Sequence, residues 1–185
     1  MNWQTNEKGR GTRRAAVTLW QILWPPLAFL GAQAVLRSLF SRLVPCPGGA
    51  ASVLLAPVLV WLLGTRQQQD RRRWAWALAL TLLGAGAFCA LSGPGLLGTA
   101  GSCLAGPINE EIVYRGAVYP RCRGAFGVKA AVFISALLFA VAHASLTALL
   151  PALLAGCLFA ALYERTDTLL LPILLHILWN LLWTG

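Results

Sequence analysis

Long apolar stretches separated by short polar loops dominate the pattern along this chain. A transmembrane α-helix needs about 20 consecutive apolar residues, and most of the stretches reach that length. The pattern therefore predicts an all-α fold, a polytopic transmembrane helix bundle with about seven spans. The predicted spans are 15–36, 48–65, 74–92, 96–119, 129–146, 147–163 and 168–184.

The fourth of these stretches is interrupted by small residues and prolines. A Gly-Pro-Gly run at 93–95 opens it, and the pair Gly106–Pro107 comes shortly before Glu110. Because proline lacks an N–H and clashes with the preceding turn, we expect the helix to break or kink there. Broken backbone at membrane depth is tolerated only inside protein or beside water. The carboxylates that follow are therefore expected to face a hydrated cavity.

Polar side chains occur within three of the apolar stretches, each in a pair of residues spaced four apart. A helix brings residues i and i+4 onto one face, so each stretch aims its polar groups in one direction. A charged group in a bilayer costs about 2.5 to 3.5 kcal/mol and usually marks function. Together these groups predict an active site inside the membrane. The pairs are Glu111/Arg115, with Glu110 alongside, Phe139/His143 and His176/Asn180.

The composition is typical of a membrane protein and not of a soluble domain. The 185 residues are 58% apolar and 11% charged, which leaves room for a single membrane bundle. A net charge of +9 would suggest a nucleic-acid partner in a soluble protein. Here almost all Lys and Arg residues fall in predicted loops. We therefore interpret them as determinants of topology and expect no nucleic-acid partner.

The basic loops predict an orientation for the bundle. If the spans alternate, twelve of the 15 Lys and Arg residues fall on one side, and Arg37 and Arg42 fall on the other. The positive-inside rule then predicts a cytoplasmic N-terminus and an outside C-terminus, in an integral multi-pass protein of a bacterial cell (inner) membrane. The twelve residues are Lys8, Arg10, Arg13, Arg14, Arg66, Arg71, Arg72, Arg73, Arg121, Arg123, Lys129 and Arg165.

The order and spacing of the three polar motifs resemble those of one membrane-protein family. The motifs are EExxxRG from Glu110, FxxxH from Phe139 and HxxxN from His176. They follow one another as in the CAAX protease and bacteriocin-processing family, also called CPBP or Abi. The resemblance covers about residues 96–184 and implies an intramembrane glutamate endopeptidase. With the predicted spans and orientation, it divides the chain into a cytoplasmic tail at 1–14, N-terminal spans at 15–95 and a catalytic membrane core at 96–185.

The resemblance also implies a role for each polar residue of the motifs. Glu110 and His143 would activate the attacking water. His176 and Asn180 would stabilise the oxyanion. Glu111 and Arg115 would hold the site together.

The residues themselves favour these roles on chemical grounds. Peptide hydrolysis needs a general base and hydrogen-bond donors aimed at the developing oxyanion. Glu110 has no cation one turn later, because position 114 is Tyr, whereas Glu111 has Arg115. Glu110 therefore fits the base, and the Glu111 pair fits structural support. His143 and the other histidine of the chain both fall in motif positions.

The sequence is also compatible with other chemistries and functions. Two His and two Glu residues could bind zinc, although no HExxH motif is present, and we expect no cofactor and a metal-free site. The expected partners are the lipid bilayer and a membrane-associated protein or peptide substrate: a CAAX-like C-terminal tail, a sorting signal or a leader. The rival functions are a non-catalytic bacteriocin-immunity or scaffold protein on the same fold and a proton-coupled transporter.

Overall fold

A computed structural model describes residues 3–43, 47–64, 98, 101–143 and 145–184 of this chain. All regular elements in these ranges are helices, which confirms the predicted all-α fold. Six helices follow one another in the described part. They are α1 (Trp3–Phe40), α2 (Pro47–Gly64), α3 (residues 101–126), α4 (Val128–Ala142), α5 (Leu146–Thr166) and α6 (Leu170–Thr184).

Two helices of the described part are long and apolar enough to cross a membrane, Ala15–Phe40 and Leu146–Thr166. Val128–Ala142 and Leu170–Leu182 are apolar but shorter. These apolar helices fit the membrane protein that the composition predicts. The predicted third span, 74–92, lies outside the described residues, so the count of about seven spans stays a prediction.

Helix α3 changes its winding around the acidic motif. Its turns are wide, of the π type, at Gly101–Ala105 and Ile112–Val118, and they are regular at Gly106–Glu111 between them. The helix is not broken at Gly106–Pro107, because it continues through Pro107 with widened turns on either side of the regular segment. A kink at this pair, the other form of the expectation, stays a prediction. Wide turns of this kind occur mostly within longer helices and often at functional sites.

Glycines bring neighbouring helices into close contact. A Cβ atom added at Gly101 would lie 2.1 Å from the Cα atom of Gly49, so α2 and α3 touch where both begin. A Cβ atom added at Gly156 would lie 3.0 Å from Ala136, so α5 lies close against α4. Small residues at such crossings are how membrane helices approach one another.

Replacing Gly101 with Ala is expected to destabilise the bundle, because the new methyl group would have to push the Gly49 backbone away. Overpacking a close contact costs about 1–3 kcal/mol. Gly124→Ala is the matched control, since a Cβ atom there would meet nothing within 4 Å, and alanine favours the helix by about 1 kcal/mol. Thermal unfolding in detergent should show a lower midpoint for Gly101→Ala alone. Equal midpoints for the two variants would contradict this packing.

The chain path gives the bundle two distinct ends. At one end, called here the Arg37 end, Arg37 of α1 lies beside Gly48 at the start of α2, and α3 begins next to Gly49. Helix α4 ends and α5 begins on the same side, around His143. At the opposite end Arg123 of α3 forms an ion pair with Glu164 of α5, at 2.9 Å.

Candidate active site

A buried ion pair forms the centre of the site. Arg115 Nη1 donates to Glu111 Oε1 at 2.8 Å, and both side chains are 0% exposed. Arg115 Nη2 donates to the backbone carbonyl of Gly156 at 2.9 Å. The guanidinium also lies over the rings of Phe139 and Phe159, with 4.8 and 5.4 Å to the ring centroids. The pair predicted on one helix therefore connects α3 to α4 and α5.

His176 brings the two carboxylates of the acidic motif together. Its Nδ1 atom lies 2.9 Å from Glu111 Oε1, and its Nε2 atom lies 3.7 Å from Glu110 Oε2. The imidazole is stacked on Phe159, with centroids 4.9 Å apart, and meets the edge of Phe139 at 5.5 Å. A buried imidazole with aromatic rings on two sides has little freedom to turn. Its two nitrogen atoms are thus held toward the two Glu side chains.

Glu110 and His143 are the more accessible members of the group. The Glu110 side chain is 24% exposed, in contrast to the closed Glu111. His143 follows the last residue of α4 and is exposed, with Nδ1 2.9 Å from the Phe139 carbonyl and its ring 4.6 Å from the Phe139 ring. Because a carbonyl oxygen only accepts, Nδ1 of His143 carries the hydrogen. Nε2 is then the basic nitrogen of the neutral ring.

Two cavities meet at His143. The smaller, about 260 Å³, lies between α1, α3 and α4 and is lined by Glu110 and Tyr114. The larger, about 360 Å³, lies between α4, α5 and α6 and is lined by His176 and Asn180. Both are lined by His143, and the smaller one also by Arg37, so the motif residues lie toward the Arg37 end.

Asn180 is held against the first wide turn of α3. Its Nδ2 atom donates to the backbone carbonyl of Ser102 at 2.9 Å. Together with the Glu111 contact of His176, this bond attaches α6 to α3 at two points one helical turn apart. The structure thus brings all six polar residues singled out in the sequence into one region around α3.

Three further residues belong to this region although the sequence did not single them out. Tyr114 lies one turn after Glu110 and lines the smaller cavity, and its buried hydroxyl has no partner among the described residues. Asn109 donates to the Ser52 carbonyl at 2.8 Å and fixes α3 against α2. Tyr114 and Asn109 lie within or next to the acidic motif, and this position in the sequence could have indicated them. Phe159 is one apolar residue among many in α5, and no sequence feature distinguishes it.

The donor set does not assemble into a metal site in the described part of the chain. No group of three or more His, Cys, Asp and Glu side chains there has an arrangement that could hold a metal ion. Glu111 forms hydrogen bonds with His176 Nδ1 and Arg115, and it does not converge with His143 on a common metal position. The expectation of a metal-free site stays a prediction that addition of a chelator can test.

Part of the chain matches a known protein family. Residues 92–182 match the model of a family described as type II CAAX prenyl endopeptidase Rce1-like. The matched range contains all six polar residues and agrees with the CAAX protease resemblance over about residues 96–184, which is thereby confirmed. No curated protein and no solved structure matches the chain.

Proposed function

We propose that this membrane protein hydrolyses a peptide bond in a membrane-associated protein, by means of a water molecule that Glu110 activates. Its residues 92–182 belong to the Rce1-like family of type II CAAX prenyl endopeptidases. The observation that carries the proposal is the accessibility of Glu110 and His143, which line one cavity beside a buried Glu111–Arg115–His176 network. The rival functions, immunity protein and transporter, receive no support from the comparisons.

The two adjacent glutamates differ in what they can do. Glu111 accepts from Arg115 and from His176, and its burial closes it to a substrate. Glu110 faces the smaller cavity together with His143. A general base must lie within hydrogen-bond reach of the proton that it abstracts, directly or through one water. A water between Glu110 and His143 Nε2 would meet that condition, and Glu110 would take its proton as the oxygen attacks the peptide carbonyl.

The oxyanion role suggested for His176 carries a condition on its protonation. An ionised carboxylate only accepts, so a charged Glu111 requires a hydrogen on His176 Nδ1. Nε2 can then donate to an oxyanion only when the ring carries both hydrogens. A doubly protonated His176 with Arg115 would balance the charges of the two glutamates. Collapse of the tetrahedral intermediate would break the C–N bond, and the proton held by Glu110 would pass to the leaving amine.

Removal of either proposed oxyanion donor is expected to lower kcat/KM on the order of 100- to 1000-fold, as for other oxyanion donors. Asn180→Ala should do so with a modest change in stability, because Asn180 is partly exposed at its Ser102 contact. His176→Ala should also lower the melting temperature, since it removes a buried partner of Glu111. Cleavage kinetics and thermal unfolding of both purified variants check this. Unchanged kcat/KM in Asn180→Ala would remove that residue from the chemistry.

The direction from which the substrate enters also forms part of the proposal. The two cavities lie toward the Arg37 end, and the basic residues Arg123, Lys129 and Arg165 lie at the opposite end. Under the positive-inside rule the basic end would face the cytoplasm. The substrate tail would then reach Glu110 from the non-cytoplasmic face.

The experiment that tests the proposed activity uses purified protein in lipid nanodiscs. It is mixed with membrane-anchored peptides that represent a CAAX-like tail, a sorting signal and a leader, and new termini are identified by mass spectrometry. We expect cleavage of at least one peptide at a single bond. Intact peptides in every mixture, with folded protein present, would contradict the endopeptidase proposal.

A further inference from the structure

Tyr114 carries a buried hydroxyl that the chemistry proposed above does not use. We infer that Tyr114 positions the proposed base: when the substrate is bound, its hydroxyl donates a hydrogen bond to one oxygen of the Glu110 carboxylate and leaves the other oxygen facing the water. This inference rests on the proposed function and adds a positioning residue to it. Tyr114 and Glu110 line the same cavity, together with His143.

Within the described part of the chain, the hydroxyl of Tyr114 and the carboxylate of Glu110 both lack a hydrogen-bond partner. Tyr114 is 1% exposed, so its hydroxyl is closed to water as well. A buried hydroxyl without a partner destabilises the folded protein. Phenylalanine would fill the same space without that cost. A part in the chemistry accounts for a tyrosine at this position.

Helix geometry places the phenol of Tyr114 beside the Glu110 carboxylate. A long side chain in a helix leans back over the turn before its own Cα atom, toward positions i−3 and i−4. For Tyr114 these positions are Glu111 and Glu110. Glu111 already accepts from Arg115 and from His176. Glu110 is therefore the acceptor that remains.

The ring of Tyr114 is fixed by aromatic packing. It meets the ring of Phe139 edge to face, with centroids 5.4 Å apart and an interplanar angle of 85°. The same Phe139 ring lies 4.6 Å from the ring of His143. The phenol is thus held beside both residues proposed to activate the water. Catalytic hydrogen bonds are often long or poorly aligned in a free enzyme, and they tighten when the substrate binds.

A hydrogen bond from Tyr114 would also separate the tasks of Glu110 and His176. In the structure His176 Nε2 lies 3.7 Å from Glu110 Oε2. The same nitrogen is a proposed oxyanion donor, and one N–H cannot serve both acceptors at full strength. With Tyr114 on the carboxylate, His176 Nε2 is available to the oxyanion. The phenol keeps its proton, so the second oxygen of Glu110 still takes the proton from water.

The first test removes one hydroxyl at a time, with Tyr114→Phe and the matched control Tyr119→Phe. The Tyr119 hydroxyl donates to Glu164 at 2.8 Å, at the opposite end of the bundle. We expect Tyr114→Phe to lower kcat by about 10- to 100-fold, as befits a lost hydrogen bond to a charged group. Its KM should stay unchanged and its melting temperature should equal or exceed that of the wild type. Tyr119→Phe should show the reverse, a wild-type kcat and a lower melting temperature.

The second test shows whether Tyr114 acts through Glu110. Infrared difference spectra are recorded on addition of uncleavable forms of the three anchored peptides, in which a methylene group replaces the nitrogen of the scissile bond. The carboxylate band of Glu110 is identified by its absence in Glu110→Gln. We expect these peptides to shift the band in the wild type and in Tyr119→Phe, and to shift it less in Tyr114→Phe.

Three results would overturn the inference. They are a wild-type kcat in Tyr114→Phe, a loss of kcat that comes with a lower melting temperature in that variant, and an equal shift of the Glu110 band in all three proteins. If the wild type cleaves no peptide, the proposed function fails, and the infrared measurement alone decides the role of Tyr114. A smaller band shift in Tyr114→Phe would then support the hydrogen bond, and an equal shift or no shift in the wild type would overturn it.

Discussion

Glu110→Gln is expected to abolish peptide cleavage, with a loss of at least about 10,000-fold, while the protein stays folded. The amide keeps the shape of the side chain but cannot take a proton from water. Folding should survive because the Glu110 carboxylate has no arginine partner in the described structure, where it lies 3.7 Å from His176 Nε2. His143→Ala should lose as much cleavage activity as Glu110→Gln. When two residues act as one catalytic unit, removal of either one removes the function of both.

The control for this prediction is Glu164→Gln at the opposite end of the bundle. Its side chain is 26% exposed, close to the 24% of Glu110, and it carries the same charge. It pairs with Arg123 and Tyr119, far along the chain from the acidic motif. Cleavage kinetics and size-exclusion profiles of the two variants should show activity and fold retained in Glu164→Gln. A comparable loss in both variants would mean that charge or fold, and not the base, is responsible.

Arg115→Met is expected to destabilise the protein by about 3–5 kcal/mol, because it leaves the buried Glu111 without its cation. It also removes the donor to the Gly156 carbonyl and the stacking over Phe139. The double variant Glu111→Gln/Arg115→Met removes both charges, and replacement of a whole buried pair is often close to neutral. We therefore expect the double variant to regain most of the folded yield.

The measurement is the denaturation midpoint of the single and double variants in the same detergent. A double variant no more stable than Arg115→Met would show that packing and the Gly156 bond, and not the uncompensated charge, dominate the loss. An Arg115→Met protein that is fully folded yet inactive would contradict the support role and place Arg115 in the chemistry.

The parts of the site that the sequence predicts are those set by local helix geometry. The Glu111–Arg115 bond and the Phe139–His143 contact each join residues four apart, and the structure contains both. Glu110 and Glu111 are adjacent, so helix geometry points them about 100° apart, one carboxylate toward a cavity and the other toward Arg115. Such contacts need only the periodicity of a helix and the cost of charge in the membrane.

Contacts between distant parts of the chain could not be predicted in this way. His176 meets Glu111 across 65 positions, and Asn180 meets Ser102 across 78. Both contacts join α6 to α3, and the residue spacing within either helix does not determine how the two helices pack against each other. The composition of an apolar helix says little about which neighbour it packs against. The place of the cavities near the Arg37 end likewise follows from where α4 ends, and the apolar run through 129–146 conceals that end.

The most direct test of the central claim is cleavage in heavy-oxygen water by wild type and Glu110→Gln side by side, each with and without a zinc chelator. Mass spectrometry then reads both the new termini and the isotope in the new carboxylate. The account predicts that the wild type places one heavy oxygen in that carboxylate, that the chelator has no effect, and that Glu110→Gln gives no product. Normal cleavage by Glu110→Gln would contradict the glutamate mechanism, and a loss of wild-type activity restored by zinc would replace it with a metal-dependent one.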